Sequence, residues 1–296
     1  MDGFLLVDKP IGVSSGRVDG TAKKLFSTRK VGHLGTLDPF ASGLLLLGVG
    51  NGTGLFPFLS DKKKTYEAKL KLGIETDTLD NTGKAIKDMP VPILAKARIE
   101  EVLSSFVGTE SQIPPLYSAK HVGGERAYDL ARAGVALTLK PVEVTVFSIS
   151  FLSYDEKEKI LSFSTEVSAG TYIRSLGRDI AARLSTCGSL IALRRTKIGP
   201  LSLQDATPLS DLTLSSLVPV SSLFPSFPVM EVPEKEQRSA RNGNALTLDS
   251  SSPYVFAAVD GKIAGVYQRD REKENLYRCK KGFSHEDYSA SHKQEE

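Results

Sequence analysis

The run 32–45, Gly-His-Leu-Gly-Thr-Leu-Asp-Pro-Phe-Ala-Ser-Gly-Leu-Leu, constrains this chain more than any other segment. It sets one carboxylate, Asp38, in a loop dense with Gly and Pro, and the apolar run Leu44 to Leu47 follows at once. Glycine permits backbone angles that other residues resist. Pro39 fixes its own φ and pushes Asp38 towards an extended conformation. The loop is therefore preshaped, and it presents one acid at the mouth of a strand, a place where functional groups sit well. A lone Leu-Asp-Pro is also an ordinary turn in which the Asp accepts backbone hydrogen bonds, so the rest of the chain has to decide.

Around this loop the hydrophobic pattern mixes two periods. Phe4 to Val7 reads as a short strand ended by Asp8-Lys9-Pro10. Ser14 or Ser15 caps a helix with Val18, Ala22, Leu25 and Phe26 on one face. Thr65 to Leu72 alternates as a half-buried strand does, with Tyr66, Ala68, Leu70 and Leu72 on the apolar side. After Pro90 and Pro92 a helix places Ile99, Val102, Leu103, Phe106 and Val107 inward. Two strands follow, marked by Val142, Val144 and Val146, then by Leu161, Phe163, Thr165 and Val167. Ile173, Leu176, Ile180 and Leu184 then give a helical stripe. Strands and helices without strict βαβ alternation read as α+β. The stretch 211–230, rich in Ser, Leu and Pro, reads as a linker between a domain over 1–210 and a small β-rich domain over 231–283. In the latter, Asp260-Gly261 between alternating runs signals a hairpin. The polar residues 284–296 read as a disordered tail.

At 296 residues the chain is long enough for such a division. No apolar stretch reaches the length of a membrane span, and Met1-Asp2-Gly3-Phe4 lacks the basic start of a signal peptide, so a cytoplasmic location is expected. Cys187 and Cys279 form no metal cluster or disulfide framework, and the four histidines show no metal-ligand spacing. The net charge of +3 decides little. Its arrangement says more: Lys23, Lys24, Arg29 and Lys30, then Lys62 to Lys64, then Arg194, Arg195 and Lys197 form three clusters, each either a solvated face or part of a phosphate track.

The run 32–45 resembles the G-H-x-G-x-L-D-P-x-A-x-G-x-L signature of the TruB family of tRNA pseudouridine synthases, in which the Asp is catalytic. Further segments resemble that family in the order it requires. Asp8-Lys9-Pro10-Ile11-Gly12-Val13-Ser14-Ser15 is similar to its first motif, where Lys9 and Pro10 would pack beside the catalytic loop and shape it. Lys64-Thr65-Tyr66-Glu67-Ala68 resembles the motif whose Tyr stacks on the target base; read alone, Tyr66 is a core aromatic. Gly170-Thr171-Tyr172-Ile173-Arg174 matches G-T-Y-I-R, which implies that Arg174 pairs with Asp38 and that Tyr172 lies close to both. An acid that must stay ionised in a dry pocket needs such a cation. Leu193-Arg194-Arg195-Thr196 resembles the last motif, implying that Leu193 lines the uracil pocket and that the arginines brace backbone or RNA. The segment 112–134, within an insertion over about 110–140, resembles the clamp on the tRNA T-loop, with Arg126 and Arg132 as RNA contacts; His121 and Glu125 stand where Lys is common, as does Ala169 further on. His33 and Lys64 would also contact the substrate. Val232 to Phe283 resembles the PUA-like domain of bacterial members.

The resemblance implies a pseudouridine synthase fold, with a central mixed or antiparallel sheet flanked by helices and an RNA-clamping insertion. It implies isomerisation of uridine to pseudouridine at position 55 in the T-loop of tRNA. Nothing external is consumed, so no cofactor and no metal are expected. The expected partner is tRNA through its T-loop and T-stem, with no membrane, no protein partner and a monomeric chain. Two alternatives come from other classes. One is an RNA-binding protein that remodels tRNA, with catalysis incidental or lost. The other is an unrelated hydrolase using Asp38, for which no paired acid or Ser-His motif is recognisable.

Overall fold

The computed structural model describes residues 1–117, 121–122, 125–126 and 139–283, with residues 121–122 and 125–126 as backbone only. Among the described residues, eleven strands form one mixed sheet. Its main members are β1 (Gly3–Lys9), β3 (Ser42–Val49), β4 (Lys64–Leu72), β5 (Gly108–Gln112), β6 (Val142–Asp155), β7 (Ile160–Val167) and β8 (Gly188–Ile198), and β2 (Val31–Leu34) pairs with β3 at one side. The spatial order is β1-β3-β8-β4-β7-β6-β5. Neighbours are antiparallel except β3 and β8, which run parallel and touch only where Arg194 faces Ser42 and Arg195 faces Gly43. Gly43 sits there at φ +101°, and a Cβ on it would lie 2.3 Å from the Arg195 carbonyl oxygen. Only glycine lets the two halves of the sheet meet at this seam.

Every residue of β3 is buried, which explains why Leu44 to Leu47 reads as a continuous apolar run instead of an alternating one. Leu45 and Leu47 face one core with Leu5, Tyr66, Leu70, Phe163, Leu176 and Ile180. That core is covered by α1 (Ser15–Leu25), α2 (Lys96–Ser104) and α3 (Ile173–Arg183). Leu44 and Leu46 face the opposite side with Phe4, Leu6 and Ile198, where Phe256, Val266 and Phe283 of the C-terminal sheet close the layer.

The C-terminal sheet is formed by β9 (Val229–Glu231), β10 (Leu246–Thr247), β11 (Tyr254–Val259), β12 (Lys262–Arg269) and β13 (Leu276–Gly282), with α4 (Glu234–Arg241) beside it. The hairpin read at Asp260-Gly261 joins β11 to β12, and both turn residues take positive φ, 53° and 72°, the geometry that matches the twist of the strands. The stretch 211–230, read as a linker, is packed instead. Val218–Pro219 pairs with β1, Val220 and Phe224 are buried, and Phe227 stacks on Tyr254 at 5.0 Å between centroids. Its leucines and phenylalanines anchor it: each large apolar side chain taken from water contributes about 1.5–3 kcal/mol. A second difference concerns Val107, which lies past the end of α2 and is 52% exposed. The tail 284–296 lies outside the described residues. Among the described residues no helix is long and apolar enough to cross a membrane.

Candidate active site

The loop after β2 holds Asp38, and almost every residue of it is tied down. Arg195 donates from Nη2 to the Gly35 carbonyl at 2.9 Å. The Ser15 hydroxyl donates to the Leu37 carbonyl and accepts from the Leu37 N–H, each at 2.9 Å. The Gly12 N–H donates to the Pro39 carbonyl at 2.7 Å, and the Ala41 N–H to that of Asp38 at 3.1 Å. Ser14 is the helix cap of α1, accepting from the Arg17 N–H; Ser15 serves the loop. Lys9, with no exposure, donates from Nζ to the carbonyls of Pro10 and Val13 and so braces the turn that carries Gly12. Lys9 and Pro10 thus stand behind the loop. Burial lowers the Lys9 ammonium to about 8, Asp38 opposing the fall and Arg195 adding to it.

In front of the loop opens a cavity of about 490 Å³, lined by Asp38, Lys64, Tyr66, Tyr172, Arg174, Leu193 and Arg195, with Ala169 also in its wall. Arg174 enters from the first turn of α3. Its Nε lies 3.0 Å from Asp38 Oδ2. Nη1 donates to the Thr78 carbonyl and Nη2 to the Tyr117 carbonyl, both at 2.8 Å. Nη1 also lies 3.4 Å from Asp80 Oδ2. The Arg174 side chain is 7% exposed and that of Asp38 37%, so the acid keeps one side open to the cavity. Burial raises the Asp38 carboxyl above its ordinary value; Arg174 and Lys9 pull it down and Asp80 pushes it up.

Tyr66 is 7% exposed on β4, beside Arg195 on one neighbouring strand and Thr165 on the other. Tyr172 is held at its backbone by the Gln112 side chain, which accepts from its N–H at 2.9 Å and donates to its carbonyl at 3.1 Å. Lys64 donates to the Lys62 carbonyl, and burial, with the Arg195 charge beside it, lowers its ammonium below the usual lysine value. The Arg195 guanidinium is 1% exposed and spent on the carbonyls of Leu44 and Gly35. Arg194 donates to Asp8 and Ser42. Of the third basic cluster, then, two arginines brace the protein, Arg194 with its side chain still 41% exposed, and Lys197 is exposed. His33 sits at the rim: its Nδ1 lies 2.8 Å from Asp19 Oδ2 and its Nε2 3.2 Å from Thr36 Oγ1. The side chain of Arg126 and the whole of Arg132 lie outside the described residues.

A match to the description "TruB family pseudouridylate synthase (N terminal domain)" spans residues 23–173. The chain belongs to the TruB family. It is 43% identical over 198 residues to tRNA pseudouridine synthase B of Aquifex aeolicus (strain VF5), covering 67% of this chain and 69% of that one. With the enzyme of the same name from Caldicellulosiruptor saccharolyticus it is 45% identical over 197 residues, covering 67% of each. A chain from the crystal structure of a Cbf5–Nop10–Gar1 complex shares the fold at a TM-score of 0.68, with 22% identity over 95% of this chain and 85% of that one. A chain from the structure of an H/ACA RNP bound to a substrate RNA containing 2′-deoxyuridine does so at 0.66, with 20% identity over 96% and 86%.

Beside the TruB motifs stand residues that the sequence reading passed over. Asp80 is the main one: 4% exposed, it accepts at Oδ1 from the Thr78 and Thr82 hydroxyls and from the Thr82 N–H. The signal available was a stretch, 76–82, that mixes Thr with Asp and Asn, the composition of a self-bonded turn. Its approach to Arg174 depends on a bridge to Leu190 that no local pattern encodes. Gln112, read as the start of the clamp segment, and Ser15, read as a possible helix cap, are polar side chains whose partners lie 60 and 22 positions away.

Proposed function

We propose that this chain isomerises uridine 55 in the T-loop of tRNA to pseudouridine. The observation that carries this reading is the Arg174–Asp38 ion pair, with its acid open to a cavity walled by Tyr66 and Leu193. A cavity of 490 Å³ falls within the range of about 300–1,000 Å³ typical of small-molecule sites. It has room for one nucleotide and none for a duplex, so the target base must be flipped out of its loop. In the reaction the N1–C1′ bond breaks and a C5–C1′ bond forms; the hydrogen on C5 leaves as a proton and N1 gains one. Cleavage of a glycosidic bond develops positive charge on the sugar, which the Asp38 carboxylate stabilises. Three routes are open to Asp38: attack as nucleophile on the sugar carbon, abstraction of a sugar proton as base, or addition to the base. Arg174 keeps the carboxylate ionised and aimed. Tyr66 stacks on the flipped uracil, Leu193 packs against it and Tyr172 closes the pocket beside Arg174. Binding to the rest of the RNA runs through Lys23, Lys24, Arg29, Lys62, Lys63, His33 and the segment carrying Arg126 and Arg132, and the C-terminal sheet adds a PUA-like contact.

Unmodified tRNA labelled with tritium at uracil C5 tests this. Release of one tritium per tRNA, with pseudouridine mapped at position 55, is the expected result. No release, or release with the modified base elsewhere, overturns it.

A further inference from the structure

His33 lies on the edge strand β2, and its ring bridges two other elements, with Asp19 of α1 on one side and Thr36 of the catalytic loop on the other. The side chains of His33 and Asp19 are only 20% and 13% exposed. Asp19 Oδ1 is buried and has no hydrogen-bond partner among the described residues. The whole hydrogen bonding of this carboxylate therefore rests on the contact from Oδ2 to His33 Nδ1. An ionised carboxylate only accepts, so the proton of that bond belongs to Nδ1. Losing it would leave a half-buried carboxylate, its Oδ1 shut off from solvent, with no donor from the described residues at either oxygen, a costly state.

We propose that Asp19 is a positioning residue: it fixes His33 as the Nδ1–H tautomer and presents Nε2 as a hydrogen-bond acceptor at the rim of the active-site cavity. In the neutral ring Nε2 then accepts from the Thr36 hydroxyl, two residues before Asp38. Gly35 and Thr36 are both exposed, so the same acceptor meets RNA arriving at the cavity. A ribose 2′-hydroxyl or a base amino group can take the place of the Thr36 hydroxyl there. This consequence for RNA rests on the proposed function; the tautomer does not.

The test uses the full chain. Long-range ¹H–¹⁵N spectra of the histidine rings, recorded where the rings are neutral, should show His33 with a protonated Nδ1 and a bare Nε2. In Asp19→Asn that pattern should give way to averaged shifts of exchanging tautomers. In steady-state assays Asp19→Asn should raise KM for tRNA by about three- to tenfold, the worth of one hydrogen bond, with kcat within about twofold. In a His33→Ala background the same substitution should change nothing further, because residues that act through one another are not additive. A parent spectrum with the proton on Nε2 overturns the proposal, whether or not the variant folds. So does an unchanged pattern in Asp19→Asn, or additive kinetic effects. A parent that forms no pseudouridine would refute the proposed function and leave the spectra to decide the tautomer.

Discussion

Arg174 Nη1 stands 3.4 Å from Asp80 Oδ2, and the two side chains are 7% and 5% exposed. One guanidinium thus serves two carboxylates, an open one that faces the cavity and a closed one that holds the cation in place. Asp80→Asn should release that hold. We expect turnover near neutral pH to fall about tenfold, which is about 1.4 kcal/mol of lost hold on the Arg174 cation. The sign of the pH effect is opposite. Asp80 raises the Asp38 carboxyl, so without its charge Asp38 stays ionised to lower pH and the acid limb of the rate profile moves down. Single-turnover rates against pH check both effects.

Arg174→Lys keeps the charge and loses the planar fork. A lysine cannot reach Asp38, the Thr78 carbonyl and the Tyr117 carbonyl together from that backbone position. A loss on the order of a hundredfold in kcat, about 2.7 kcal/mol, is expected, with tRNA affinity little changed. Arg174→Gln removes the charge that pulls Asp38 down, so its acid limb should move to higher pH. With the Asp38 carboxylate as the proposed working form, activity should be lost as pH falls through the Asp38 value. A fully active Lys variant would show that the fork does not matter.

Phosphate binding should rest on the exposed lysines. Lys64 is buried and bonded to the Lys62 carbonyl, whereas Lys62 and Lys63 are exposed. Replacing Lys62 and Lys63 together by Ala should weaken tRNA binding and flatten its dependence on salt by about one to two in the log–log slope. Binding titrations at several salt concentrations check this, and an unchanged slope would place the RNA elsewhere.

At the seam of the sheet, Gly43→Ala should destabilise the protein strongly. The φ of +101° alone costs a side chain about 1–3 kcal/mol, and the Cβ would meet the Arg195 carbonyl at 2.3 Å. Denaturant unfolding should show a lower midpoint, and activity should fall with it because Arg195 also holds Gly35.

Much of this was legible before the structure. The alternation at 65–72 and the stripe Ile173, Leu176, Ile180, Leu184 gave a strand and a helix, because each buries one face and the period records it. The apolar run 44–47 was legible as buried, yet its two-sided burial came from the C-terminal sheet behind it. The packing of 211–230 was hidden for the same reason: Ser and Pro looked like a tether, while Phe224 and Phe227 pack on Phe256 and Tyr254, about thirty positions along the chain. In the site, Asp38 and Arg174 were named by their motifs. Asp80 was not, since its role comes from a long-range bridge to Leu190. The arginines 194 and 195 read as cations for RNA or braces for backbone; carbonyls and Asp8 take their donors.

The most direct measurement compares the parent with Asp38→Asn on unmodified tRNA, mapping pseudouridine at single-nucleotide resolution and measuring tRNA affinity in parallel. The Asn side chain keeps the shape of the loop and removes the charge. Complete conversion at position 55 by the parent, none by the variant, and similar affinity for both are expected. Substantial pseudouridine made by Asp38→Asn would contradict the catalytic role of Asp38.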